Sequence, residues 1–130
     1  CCETLNLGDD FDLVRGKASV EDVLRNFIIY ARKTGKMRYD GIYTSTDLLA
    51  IALLEQMQFL GVKVPEEVQL VGHDGMQWMN SGKYLVSTIV QPVPDMARKA
   101  VELLLKKIKG EEIETLTILP VEFAEGGTTR

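Results

Sequence analysis

Apolar residues recur at helical spacing in three segments of the chain, and short runs typical of strands separate these segments. In the first segment, the hydroxyl of Ser19 can cap the opening turn while Asp22 reaches back to it, as in a capping box. Gly35 is the expected stop of this helix. One face of the predicted helix is apolar and carries Val20, Val23, Leu24, Phe27, Ile28 and Ala31.

A second helix is predicted to run to Gly61, with Thr46 or Asp47 as its N-cap. Residues 48–54 are apolar almost all round this helix, whereas a helix that packs on a single sheet keeps a polar back. We therefore expect the second helix to bury a second face, and a partner chain is the favoured cover.

The third helix is predicted to begin near Pro94, which suits a first turn, and to end at Gly110. Its apolar stripe consists of Ala97, Ala100, Val101, Leu104, Leu105 and Ile108. Strand-like runs occupy residues 11–14, 40–45, 68–71, 87–90 and 115–119. This alternation predicts an α/β fold, with a parallel sheet and helices on both faces. In such sheets, ligands bind beyond the carboxyl ends of the strands.

Length and charge restrict the partners that this chain can have. Its 130 residues suit a single domain. A net charge of −4 argues against direct binding to a phosphate backbone, because proteins that bind nucleic acids usually carry a basic patch. Contact with DNA is therefore expected only through a separate segment. No apolar run approaches the ~20 residues of a membrane-spanning helix, so we predict no membrane partner.

The chemistry of the side chains argues against an enzyme. There is no nucleophile elbow, phosphate-binding loop or dinucleotide-binding glycine motif. His73 is the single histidine, and the adjacent Cys1 and Cys2 cannot form a zinc site or a disulfide framework alone. This cysteine usage indicates a reducing, cytoplasmic setting. We predict no enzymatic activity, no cofactor and no metal; an enzyme built from Asp47, His73 and Asp74 is the weaker alternative.

Two strand ends carry side chains that suit a hydroxylated ligand. The carboxylate of Asp74 can accept hydrogen bonds from neighbouring hydroxyls of a sugar or nucleoside, and capping of the next turn is its alternative role. Gln91 offers both a donor and an acceptor, unless it is a solvated loop residue. The hydroxyl of Thr46 can equally face the cleft or cap the helix. For Asp47, a structural role at the helix start is favoured over ligand contact.

Large apolar residues are frequent in the loop-like stretch that follows Asp74, and they are Met76, Trp78, Met79 and Tyr84. Such residues are enriched in ligand walls and in interfaces, although a local mini-core over the sheet edge is the alternative. Together with the apolar second helix, this stretch favours a dimer surface. The residues that we assign to a homodimer interface are Leu48, Ile51, Ala52, Trp78 and Tyr84.

Residues 40–110 resemble the C-terminal half of the effector-binding domains of LacI/GalR-type bacterial regulators. The matching stretches are DGIYTSTDLLAIALLEQMQFLGVKVPEEVQLVGHDG and STIVQPVPDMARKAVELLLKKIKG. Members typically have a small-Asn-Asp strand end before a Leu-Ala helix, a Val-Pro-Glu-Asp-Val loop, a Val-Gly-Phe-Asp-Asp strand end and a Thr-Thr-Val-x-Gln-Pro segment. The last three residues are similar to a Ser-Thr-Arg tail.

The resemblance implies a periplasmic-binding-protein-like type I fold, in which two α/β lobes enclose the effector. Residues 1–91 and 115–130 would form the C-terminal lobe, and the helix within residues 92–114 would pack on the N-terminal lobe. The resemblance also implies a homodimer and a separate N-terminal DNA-binding domain. We therefore expect the chain to be a fragment of a longer regulator.

By position, the resemblance implies that Asp74, Gln91 and Thr46 contact the effector. Three residues depart from the usual family pattern. Thr46 replaces an asparagine, Gly75 replaces the second aspartate of a pair, and His73 replaces an aromatic residue. Loss of the asparagine amide alters the expected ligand geometry.

The function that follows is sensing of a small effector, a sugar or related metabolite, and dimerisation within a bacterial transcription regulator, with a repressor favoured. The alternative is a transport-linked periplasmic sugar-binding protein, which shares the fold but would be exported and monomeric. The Val-Pro-Glu-Glu-Val loop and the Thr-Thr-Arg tail favour the regulator. An upstream helix-turn-helix or an upstream signal peptide would distinguish the two.

Overall fold

The computed structural model describes residues 3–4, 19–33, 35–76 and 83–130. The strand predicted at 11–14 lies outside these residues. The described elements, in chain order, are α1 (Val20–Ala31), β1 (Arg32–Lys33), β2 (Lys36–Met37), β3 (Gly41–Tyr43), α2 (Asp47–Phe59), β4 (Gln69–Asp74), β5 (Ser87–Val90), α3 (Val93–Ile108) and β6 (Glu122–Ala124).

Helix α1 starts as its sequence predicts and ends earlier than predicted. The Ser19 hydroxyl accepts a hydrogen bond from the Asp22 amide at 3.1 Å and donates one to the Asp22 carboxylate at 2.9 Å. The helix ends at Ala31, so the prediction of Gly35 as its stop is wrong. Gly35 instead has φ +81° and lies between β1 and β2, which pair antiparallel. Glycine adopts this left-handed conformation without steric cost.

The main sheet has the order β3-β4-β5-β6, with β3, β4 and β5 parallel and β6 antiparallel. The predicted α/β class with a mainly parallel sheet is therefore confirmed. The strand predicted at 115–119 is wrong, because the strand that pairs with β5 is 122–124. Ile118, which was expected in that strand, is 82% exposed. A strand needs a backbone partner. Residues 122–124, which lead into the C-terminal tail, occupy the edge of β5 instead of residues 115–119.

Helix α2 packs on one face of the sheet, and α1 packs on α2. The fit against β4 is close, because a Cβ atom at Gly72 would collide with the Asp47 carboxylate and press against Ala50. The second apolar face of α2 is thus covered in part by α1 of the same chain. The buried core between these elements consists of Leu24, Phe27, Ile28, Ala31, Ala50, Leu53, Leu54, Met57, Val62, Val68, Leu70 and Val86.

The C-terminal tail lies at the amino ends of β4 and β5 and joins them. The buried hydroxyl of Thr128 donates to the Leu70 carbonyl at 2.6 Å and accepts from the Ser87 amide at 2.9 Å. The Ser87 hydroxyl contacts the Thr129 hydroxyl at 2.7 Å and accepts from the Gly126 amide at 2.9 Å. The tail is therefore part of the sheet's hydrogen-bond network.

Helix α3 has no buried residue, although its stripe is apolar. Leu104, in the middle of the stripe, is 58% exposed. On the polar side, Lys106 and Lys99 both bond to Glu102, and these hydrogen bonds lower the pKa of the Glu102 carboxyl. Exposed pairs of this kind contribute little to stability. No helix within the described ranges is long and apolar enough to cross a lipid bilayer.

Candidate functional site

The carboxyl ends of β3, β4 and β5 meet at one edge of the sheet. The parallel register pairs Tyr43 with Val71 and Asp74 with Val90. Thr46 comes three residues after β3, Asp74 is the last residue of β4, and Gln91 follows β5 directly. The structure therefore places the three residues expected to contact an effector at the same edge, where α/β sheets bind ligands.

Asp74 occupies a strained turn at this edge. Its φ of +96° is unusual for a residue with a side chain, although aspartate tolerates the left-handed region better than most. Its Oδ1 accepts a hydrogen bond from the Met76 amide at 3.0 Å, which is the turn-capping role. Within the described residues Oδ2 accepts no hydrogen bond, and the side chain is partly exposed. One carboxylate oxygen thus holds the turn, and the other can accept a bond from a ligand.

Thr46 is the N-cap of α2. Its Oγ1 accepts a hydrogen bond from the Leu49 amide at 3.2 Å, and its carbonyl accepts one from the Thr44 hydroxyl at 2.9 Å. The capping alternative is therefore the one observed. A hydroxyl that accepts a capping bond can still donate its own hydrogen, so Thr46 can donate a hydrogen bond to an acceptor atom of a ligand.

Asp47 is fully buried and has a structural role. The expected role was to cap the helix, whereas the observed role is a bond to a neighbouring strand. Its Oδ1 accepts a hydrogen bond from the Thr88 hydroxyl at 2.5 Å, while Oδ2 is buried without a hydrogen-bond partner in the described residues. This bond links the start of α2 to the middle of β5. Sequence reasoning missed Thr88, because only the register shows that β5 brings a hydroxyl under the helix start.

Gln91 and His73 form a polar pair on the sheet face opposite α2. The Gln91 Nε2 atom lies 3.2 Å from the His73 Nδ1 atom, and both side chains are partly buried. The Tyr43 ring meets the His73 ring edge-on, with centroids 6.1 Å apart and an interplanar angle of 78°. The sequence marked His73 as a departure from an aromatic position and as part of the weaker enzyme alternative, and the structure places it between Tyr43 and Gln91.

A groove of about 900 Å³ lies along the sheet and the helix ends, but it does not contain the expected effector residues. Asp74, Gln91 and Thr46 are not among its lining residues. Its walls include Leu24, Phe27, Tyr39, Ile42, Tyr43 and Phe123. The lining is mainly apolar, and it also includes the carboxylate of Glu3 and the amide of Gln69. Tyr43, Thr44 and Ser45 also line the groove, so it borders the polar edge without including Asp74 itself.

The residues assigned to a homodimer interface are found in different environments. Leu48 is 68% exposed, whereas Ile51 and Ala52 are partly buried and pack against the core. Tyr84 is partly buried and forms an isolated bridge with Gly126. Trp78 lies outside the described residues. The assignment stays a prediction.

Among the described parts of the chain, no three His, Cys, Asp or Glu side chains come close enough together to hold a metal ion.

Comparison with known proteins connects this geometry to a family. Residues 5–129 match the periplasmic binding protein-like domain. The chain is 28% identical over 121 residues to the sucrose operon repressor of Streptococcus mutans. This match covers 93% of the chain and 35% of that repressor. It is 37% identical over 92 residues to the ribose operon repressor of Bacillus subtilis. That match covers 70% of the chain and 28% of the repressor. The chain thus spans about a third of the length of these relatives.

A solved structure gives the same result. The chain superposes with a TM-score of 0.59 on a periplasmic binding protein/LacI transcriptional regulator from Alkaliphilus metalliredigens complexed with D-xylulofuranose. The two are 28% identical, and the match covers 86% of this chain and 38% of that one. Because the family match extends over nearly the whole sequence, the resemblance to LacI/GalR effector-binding domains is confirmed, and the chain belongs to the family of periplasmic binding protein-like domains.

Proposed function

We propose that this chain is the effector-sensing and dimerisation part of a bacterial transcription regulator, and that its effector is a sugar. The observation that carries the proposal is the carboxylate of Asp74 at the carboxyl edge of a parallel sheet, with Oδ1 committed to the turn and Oδ2 available. Carboxylate and amide oxygens that converge at such an edge suit a ligand with several hydroxyls. Gln91 and Thr46 supply further polar atoms at that edge.

The comparisons support the regulator over the transport protein. The relatives that match include repressors of sucrose and ribose operons, and the solved relative was crystallised with a sugar. These relatives are transcription regulators, which supports a binding function without catalysis. On this proposal the protein acts in the cytoplasm, forms a homodimer, and contacts DNA through a separate N-terminal domain.

The exposed stripe of α3 has a place in the same proposal. Residues 92–114 would pack on a second lobe of the effector-binding domain, so that residues 1–91 and 115–130 form one lobe and the effector lies between the two. The support is that every stripe residue of α3 remains outside the core of this chain. Binding of an effector would then shift the population of lobe arrangements, which requires different affinity for the two states.

The test is a thermal-shift measurement on the full-length protein with D-ribose, D-xylulose and sucrose. A ligand at about 100 times its Kd adds roughly 2.7 kcal/mol of stability, which raises the Tm of the larger full-length protein by roughly 5 °C. Asp74→Asn keeps an acceptor for the Met76 amide and tolerates positive φ, so the fold should persist while most of the shift is lost.

The matched control is Asp40→Asn, which changes an exposed carboxylate next to the opposite, amino end of β3. This variant should keep the full shift. An Asp74→Asn variant with an undiminished shift would remove Asp74 from the site. No shift with any of the three sugars would count against a sugar effector.

A further inference from the structure

The side-chain amide of Gln91 can present either of two chemistries to a ligand, and its neighbour decides which. A glutamine amide has an oxygen that accepts and a nitrogen that donates. Here the nitrogen end lies 3.2 Å from His73 Nδ1. The oxygen end, Oε1, therefore points away from the imidazole. The identity of residue 73 thus bears directly on the chemistry that Gln91 offers.

The contact also predicts the tautomer of the imidazole. The amide nitrogen is a donor only, so Nδ1 must accept, and the proton of the neutral ring must be on Nε2. β4 lies between β3 and β5, so the His73 ring is held between Tyr43 on one side and Gln91 on the other. Both ring and amide are partly buried, which favours one arrangement over free rotation.

We propose that His73 is a positioning residue that holds the Gln91 amide with Oε1 towards the effector, so that the site selects donor hydroxyls at this point. This inference rests on the proposed function. Asp74 Oδ2 and Gln91 Oε1 would then be two acceptors at neighbouring strand ends. Two acceptors, one of them anionic, favour an uncharged polyhydroxylated ligand and disfavour a phosphate or carboxylate there. A phenylalanine at position 73 could not orient the amide, because it has no acceptor.

The first experiment is independent of any ligand. His73 is the only histidine of the chain, so nitrogen–proton correlation spectra of the uniformly ¹⁵N-labelled chain at about pH 8 report its tautomer directly. We expect the proton on Nε2, and a shifted Gln91 side-chain amide signal in His73→Phe. Loss of signals in Gln91→Ala assigns that amide. A proton on Nδ1 would overturn the inference, because Gln91 would then accept through Oε1 and turn its nitrogen to the ligand.

The second experiment measures binding of D-ribose, D-xylulose and sucrose to the full-length protein by calorimetry. His73→Phe should weaken whichever sugar binds by about 10-fold, the loss expected for one hydrogen bond. His73→Asn, whose side-chain oxygen can replace Nδ1 as acceptor, should stay within about 3-fold of the original protein. Equal affinity for both variants and the original would overturn the positioning role.

The two experiments separate the two proposals. If none of the three sugars binds the original protein, the proposed sugar effector fails, and the tautomer measurement still decides whether His73 orients Gln91. If a sugar binds but the proton is on Nδ1, the proposed function stands and the inference about His73 falls.

Discussion

At the scale of single residues, the hydroxyl of Thr128 links β4, β5 and the C-terminal tail. Thr128→Val would leave the buried Ser87 amide and Leu70 carbonyl without this partner, and we expect a loss of about 2–3 kcal/mol in the free energy of unfolding. Thr128→Ser keeps the hydroxyl and should cost about 1 kcal/mol for the lost methyl group. Urea denaturation of both variants measures this difference. Equal losses would contradict the role of the hydroxyl.

Single residues also show where sequence reasoning ends. The cap at Ser19 could be predicted, because its partner Asp22 is three residues away in the same chain segment. The site candidates at Thr46, Asp74 and Gln91 followed from strand ends, and the structure brings them to one edge. The contact between His73 and Gln91 depends on the alignment of β4 with β5, which local sequence does not contain.

Among helices and strands, too, local features could be predicted from the sequence, and features that depend on distant residues could not. All three helices begin close to where their sequences predict, and α1 and α3 also have the 3.6-residue period of an amphipathic helix. The last strand was misplaced, because residues 115–119 have the alternation of a strand but no backbone partner, and Leu116 is exposed. Residues 122–124 pair with β5 instead. For a short strand, the available edge of the sheet decides the position, and propensity is the weaker influence.

The bond between Asp47 and Thr88 joins two elements and can be tested at that scale. Thr88→Val should destabilise the chain by about 2–3 kcal/mol, because the fully buried Asp47 carboxylate would lose the hydroxyl that satisfies Oδ1. Thr88→Ser keeps this donor and should lose less than half as much. Thermal and urea unfolding provide the measurement. A Thr88→Val variant as stable as the original would show that the bond contributes nothing to joining α2 and β5.

Across the whole molecule, α3 is the helix whose apolar stripe stays exposed. The core lies between α1, α2 and one face of the sheet, and α3 adds nothing to it. Contiguous exposed apolar surface of this kind marks an interaction site. The fold class could be predicted from the alternation of elements, whereas the packing of α3 on a second lobe stays a prediction.

This exposure leads to an expected contrast between two leucines of the chain. Leu104 on α3 is 58% exposed and Leu53 on α2 is 2% exposed. Leu104→Lys replaces one good helix former with another and should change the unfolding free energy of the chain by less than about 0.5 kcal/mol. Leu53→Ala opens a cavity in the core and should cost about 2–5 kcal/mol. Urea denaturation of the two variants measures both values. If Leu104→Lys destabilised the chain as much as Leu53→Ala, α3 would have to pack on the core in solution, and its stripe would not be free to cover another lobe.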